Sequence, residues 1–223
     1  MLQALFYKEW IKTRWFLAIA FLISIGISIY SMMIFKHAMD MKGIAHIWVM
    51  MLTRKVTLVH LITYVPIAIG LCLGVVQFVP EMYKKSIKLS LHLPFDINRS
   101  IAIMLLWGAV CLAICFQANF LIVWNVLHPH LPSELLAQSL STIYPSYIAG
   151  FFIYFMTATI VLEPTWKWRL GYIIISALGL HLFLLSQTPF AYNKFMWGLM
   201  LITIIITTFS WRSIYRFKVG CQD

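Results

Sequence analysis

Two histidines, His60 and His181, stand inside otherwise apolar stretches of this 223-residue chain. Imidazole is a hydrogen-bonding group and the commonest metal ligand, and burying it in hydrocarbon is costly unless something satisfies it. Each lies four or five residues from the same end of its stretch, so helices would hold the two at similar depth. Three chemistries follow. The pair lines a cavity and contacts or gates a substrate, or it ligates haem or a metal between helices, or each ring snorkels toward headgroups.

Other reactive residues point to less. His37, Met39, Met41, His46, Met50, Met51, His128 and His130 cluster in outer segments and include soft ligands suited to copper, yet the first of these stretches also has the pattern of an amphipathic helix. Cys72, Cys111, Cys115 and Cys221 form no C-x-x-C pair, and Cys111 and Cys115 share a helix face as small packing residues. Glu9, Glu81, Glu134 and Glu163 fall at different stretch ends, and no H-E-x-x-H or G-x-S-x-G motif accompanies them, so catalysis by this chain alone is not expected. No acidic residue lies inside an apolar stretch, which argues against a self-sufficient proton-driven carrier. No G-x-x-x-x-G-K-[ST] loop is present to hold ATP phosphates.

The elements that position these residues are six charge-free apolar stretches: Phe16–Phe35, Val56–Val79, Ile101–Leu127, Ser141–Leu162, Leu170–Ser186 and Phe195–Trp211. Roughly 20 apolar residues, at about 1.5 Å rise each, cross a hydrocarbon core of about 30 Å. The expectation is an all-α membrane protein, a single transmembrane domain over residues 1–223 with six spans. The mixed apolar and basic segment at about 2–14 suits a short interfacial helix, and the stretch after Arg14 is long enough for a retained signal anchor. Gly70 and Gly74 form a G-x-x-x-G pair in the second span, a spacing that lets helices approach closely.

Net charge is +10, and its distribution is a topology signal. With the N-terminus cytoplasmic, twelve Lys and Arg fall inside and five outside (Lys36, Lys42, Arg54, Lys55 and Lys194), which places both termini in the cytoplasm. Trp10, Trp15, Trp166, Trp168 and Trp211 then mark one interface, and Trp48 and Trp124 the other.

The cytoplasmic segment 80–100 carries the most pattern. Lys84, Lys88 and His92 recur every four residues with Lys85 beside them, and Met82, Leu89 and Leu93 take another side, which suits an amphipathic helix ended by Pro94. Glu81, Ser86, Leu89, Leu91, Leu93 and Pro94 also resemble the E-x-x-x-G-[ST]-x-x-x-L-L-x-L-P-x-[ST]-R pattern between spans two and three of ABC-2 type permeases. Lys85, Ser90, Asp96 and Ile97 depart from it.

That resemblance implies the membrane half of an ATP-binding-cassette exporter in the inner membrane of a bacterium. The segment around Tyr83–Leu93 would be the coupling helix, with Glu81 at its root and Lys84, Lys85 and Lys88 toward the ATPase or headgroups. Two copies of a separate ATPase subunit would bind the ATP, a second permease half, identical or homologous, would complete the path, and lipid would surround it. No cofactor is expected in this chain. The cargo would be amphipathic, lipid-like or peptide, moved by alternating access, with spans two and five and so His60 and His181 lining the path. The competing expectations are a membrane-embedded haem or metal protein using the same histidines, and a non-transporting assembly or immunity subunit.

Overall fold

The computed structural model describes residues 2–54, 60–83, 97–186, 188 and 190–219. They form α1 (Leu2–Lys42), α2 (Ile44–Arg54), α3 (His60–Tyr83), α4 (Ile97–Leu127), α5 (Ser133–Leu162), α6 (Trp166–Leu184) and α7 (Met196–Val219), with no strand among the described residues. All but α2 are long and apolar enough to cross a bilayer, so the chain has the character of a multi-pass membrane protein with six spans.

Several helices outrun their apolar stretches at one end or both, because backbone hydrogen bonding continues past the residues that suit lipid. The clearest case is α1. No break separates residues 2–14 from the first span; one helix of 41 residues, about 60 Å long, runs from Leu2 to Lys42. The short separate interfacial helix expected there is therefore the leading part of α1. No proline interrupts α1, and it ends at Gly43, whose φ of 79° carries an N–H back to the Met39 carbonyl at 2.9 Å. That left-handed conformation is the usual terminator of a helix and favours glycine. At the other extreme, α5 begins after Pro132 and stops before Pro164, which disfavours helix at the preceding residue Glu163.

Helix α5 occupies the middle of the bundle, with α3 along one side and α6 and α7 on others; α1 packs on both α3 and α4. The α3–α5 contact is the tightest. A Cβ on Gly70 would collide with the Gly150 carbonyl oxygen, and one on Gly74 would meet Thr157 Cβ at 2.8 Å. The two glycines thus bring α3 against α5 of the same chain. Close approach supplies dispersion contacts and offsets the absence of a hydrophobic driving force between helices in lipid.

Around that pair, Leu73, Phe78, Leu112, Phe152 and Tyr154 are fully enclosed. The outward faces are the reverse of a soluble protein's: Ile174, Leu178 and Leu182 on α6, and Leu201, Ile204 and Ile205 on α7, are exposed. Such a face is stable against acyl chains.

Candidate functional site

One end of the bundle collects the first turns of α1, α4 and α6 and the last turns of α3, α5 and α7, and with them Lys8, Lys12, Arg14, Arg99, Lys167, Arg169, Arg212 and Arg216. Two carboxylates are buried there side by side. Glu81, in the last turn of α3, is 3% exposed, and Glu9, on α1, is 1% exposed. Lys12 joins them: its Nζ donates to Glu81 Oε1 at 3.0 Å and to Glu9 Oε1 at 3.3 Å. Lys8 Nζ adds a second cation 2.9 Å from Glu81 Oε1. Lys8 and Glu9 cannot share a face, since neighbours on a helix diverge by about 100°; Glu9 turns inward while the half-exposed Lys8 reaches Glu81 from the rim.

The network continues inward through neutral groups. Gln77, one turn before Glu81, donates from Nε2 to Glu9 Oε2 at 3.0 Å and to the Met104 carbonyl at 2.8 Å. Its Oε1 accepts from the Tyr154 hydroxyl at 2.8 Å. Gly108 leaves the space this needs, because a Cβ there would collide with the Tyr154 hydroxyl and stand 2.7 Å from Gln77 Oε1. Thr13 donates to the Glu9 carbonyl at 2.8 Å and accepts from Trp107 Nε1 at 3.1 Å. Four helices, α1, α3, α4 and α5, thus meet in one hydrogen-bonded cluster that holds two anions and two cations among the described residues. Each buried charge has a partner of opposite sign, which is the condition for tolerating it away from water.

A second cluster ties α5 to α6 and α7. Glu163, fully buried just past the end of α5, accepts from Thr165 Oγ1 at 2.9 Å and Ser213 Oγ at 2.7 Å, with Arg216 at 3.1 Å. Arg216 also donates to the Tyr172 hydroxyl at 2.9 Å and lies over the Trp168 ring. Arg169 donates to the Glu163 carbonyl at 2.7 Å. Deeper in the bundle, Asn119 of α4 bridges Ser24 and Ser28 of α1, at 2.5 and 2.6 Å.

The expectation that the carboxylates are scattered is corrected here. Glu9 and Glu81 converge on Lys12 because α1 and α3 run antiparallel with their ends together; only the packing of two helices far apart in sequence could show it. A sequence signal did exist for Gln77 and Asn119, as polar residues within apolar spans, but none for Tyr154 or for the choice of Arg216 as the partner of Glu163.

Of the residues assigned to coupling, Glu81 and Tyr83 belong to the last turn of α3, and Tyr83 is 88% exposed. Lys84, Lys85, Ser86, Lys88, Leu89, Leu91 and Pro94 lie outside the described residues. His60 opens α3, and its side chain is outside them too. His181 is exposed on α6. Phe183, about 200° further round the helix, is the side chain that turns inward, packing on Phe152 at 5.1 Å and lining a small cleft with Thr63, Ser146 and Tyr192. The structure brings the start of α3 and the end of α6 to this cleft, and His181 is not among its lining residues.

Met39 and Met51 are core residues, His37, Met41 and His46 are exposed, and His130 Nδ1 is 3.0 Å from the Val126 carbonyl. Among the described residues no three His, Cys, Asp or Glu stand together as metal ligands would. Cys111 and Cys115 are buried free thiols and Cys72 is exposed. No protein-family model matches this chain, and no curated protein or solved structure does either.

Proposed function

We propose that this chain is the membrane subunit of an ABC-2 type exporter, driven by a separate ATPase subunit present in two copies and completed by a second permease half. The observation that carries the reading is the position of Glu81. It is the last buried residue of α3, immediately before the segment that resembles a coupling helix, and it is ion-paired to α1 rather than left at a free helix end.

That arrangement suits a transmission point. A push on the segment after Tyr83 reaches Glu81 first. Lys8 and Lys12 pass it to α1, and Gln77 passes it to α4 and α5 through Met104 and Tyr154. A two-state mechanism needs elements that move as units, and a balanced ionic cluster is stiff because separating its members exposes unpaired buried charge. In this reading the basic end of the bundle is cytoplasmic, both termini lie there, and the leading part of α1 is the counterpart of an interfacial helix. ATP binding closes the ATPase pair, the segment after Tyr83 moves, and the spans repack to open the path outward. The site is a bacterial inner membrane and the cargo an amphipathic, lipid-like or peptide molecule.

Affinity purification of the tagged chain in mild detergent from its native host tests this. A stoichiometric soluble partner with a Walker A loop, lost when residues 84–91 are scrambled while the helical bundle stays monodisperse, is the expected result. An intact complex without any ATPase removes the proposal. A Soret band in the purified protein would turn attention to haem instead, although the outward-facing His181 lends that alternative no support.

A further inference from the structure

Helices α4 and α5 part over one stretch to leave a groove of about 260 Å³, open on one side. Its walls are Phe116, Gln117 and Phe120 of α4 and Tyr144, Tyr147 and Phe151 of α5. One of these residues is out of place for a surface that meets only acyl chains. Gln117 is an exposed amide ten residues, about 15 Å, short of the end of α4. A primary amide facing hydrocarbon without a partner is costly, and this one borders the groove.

The rest of the lining is aromatic and ordered. Tyr147 stacks on Phe116 with centroids 5.2 Å apart and planes 13° from parallel, and Phe151 meets Phe116 edge-on at 5.2 Å. From the groove the rings continue toward the end of α4, through Phe120, Trp124 and His128, at centroid spacings of 6.1 and 5.4 Å. Among the described residues no charged side chain lines the groove.

We infer that the α4–α5 groove is a binding site for a neutral aromatic amphiphile, a planar ring system bearing one hydroxyl or carbonyl group. The ring lies against Phe116, Phe120 and Tyr144. Its oxygen accepts from the Gln117 amide, and a ligand hydroxyl donates to the Gln117 carbonyl. A groove of about 260 Å³, open on one side, has room for a small ring system. Neutrality follows from the lining, since a charged ligand would find no counter-ion. The ring ladder supplies further stacking positions between the groove and the bundle end. Its role as an entry point for cargo rests on the exporter reading; the binding itself does not.

The test uses the purified complex in phosphatidylcholine nanodiscs and a trifluoromethyl-diazirinyl phenol as photoprobe, with labelled peptides mapped by mass spectrometry. Saturable labelling within residues 113–120 and 144–151 is expected, displaced by 1-naphthol but not by decanol at equal membrane concentration. Gln117→Leu weakens it roughly fivefold to tenfold, the equivalent of one lost hydrogen bond of about 1 kcal/mol. Ala113 of α4 also lines the groove, and Ala113→Leu, which narrows it while keeping the Gln117 amide, abolishes labelling even if the Gln117 variant fails to fold.

Equal displacement by decanol would assign the groove to an acyl chain and overturn the inference. So would labelling that never saturates, or a Gln117→Cys variant that cross-links two copies of the chain through that position. Because labelling needs no ATPase, its failure leaves the exporter reading standing, and loss of the ATPase leaves the site standing.

Discussion

Lys12 Nζ lies 3.0 Å from Glu81 Oε1 and 3.2 Å from Glu9 Oε2, so one ammonium group holds together two buried carboxylates 72 residues apart. The lysine is 16% exposed, both acids nearly fully covered. In that environment the pair is worth more as a constraint than as a source of net stability, because desolvation opposes most of the attraction. Removing one member is different, since it strands the others.

Lys12→Met is therefore expected to destabilise the protein more than Glu81→Gln. The first removes the ammonium group that the two carboxylates share, a loss of about 3 kcal/mol; the second leaves Lys12 still paired with Glu9, a loss of about 2 kcal/mol. For a chain of this length each kcal/mol moves Tm by about 2–4 °C. Differential scanning fluorimetry in detergent checks the order, and equal Tm values for the two variants would contradict it.

Glu163 is fully buried. Substituting Arg216→Met leaves its carboxylate with Thr165 and Ser213 as its side-chain donors among the described residues, and a loss of about 3 kcal/mol is expected. Burial shields this pair from the ionic atmosphere, so the destabilisation should persist between about 0.1 and 1 M salt, where a surface pair would fade. A thermal series at several salt concentrations decides the matter, with a deficit that disappears at high salt counting against the buried geometry.

The glycines offer a comparison within one protein. Gly70→Ala drives a methyl into the backbone carbonyl of Gly150, which cannot yield as a side-chain tip would, and costs about 1–3 kcal/mol. Gly26→Ala meets nothing within 4 Å and should be neutral or stabilising through its helix propensity. Expression level and Tm of the two variants, measured in parallel, give the answer; a Gly26 variant worse than the Gly70 variant would mean that α3 and α5 do not pack as described.

Orientation has its own experiment. Lys194 and Lys167 are exposed at opposite ends of the bundle. In a background lacking Cys72 and Cys221, Lys194→Cys should react with a membrane-impermeant maleimide in whole cells, and Lys167→Cys only after lysis. The reverse pattern would turn the molecule over and remove the cytoplasmic placement of the segment after Tyr83.

Lipid dictates much of what could be seen without coordinates. A hydrocarbon core admits only apolar residues over its thickness, so the six spans and their alternation are written in composition, residue by residue. Gly70 and Gly74 were legible for a related reason, since small residues four apart mark a close helix contact; that the partner is α5 of the same chain was not. Continuity of α1 was not legible either, because the change from polar to apolar at Trp15 is a change of solvent and not of backbone.

What only the tertiary structure decided is which polar groups meet. Glu9, Lys12, Gln77, Glu81 and Tyr154 share no periodicity and no motif, and their hydrogen bonds join positions as far as 77 residues apart. Tyr147 and Gln117 likewise come to line one groove only when α4 and α5 are laid side by side and part just there. The sequence alone determined which segments cross the membrane, because that depends on each segment's own free energy in lipid. The ionic cluster and the groove depend on energies shared between segments, and those exist only once the helices have packed.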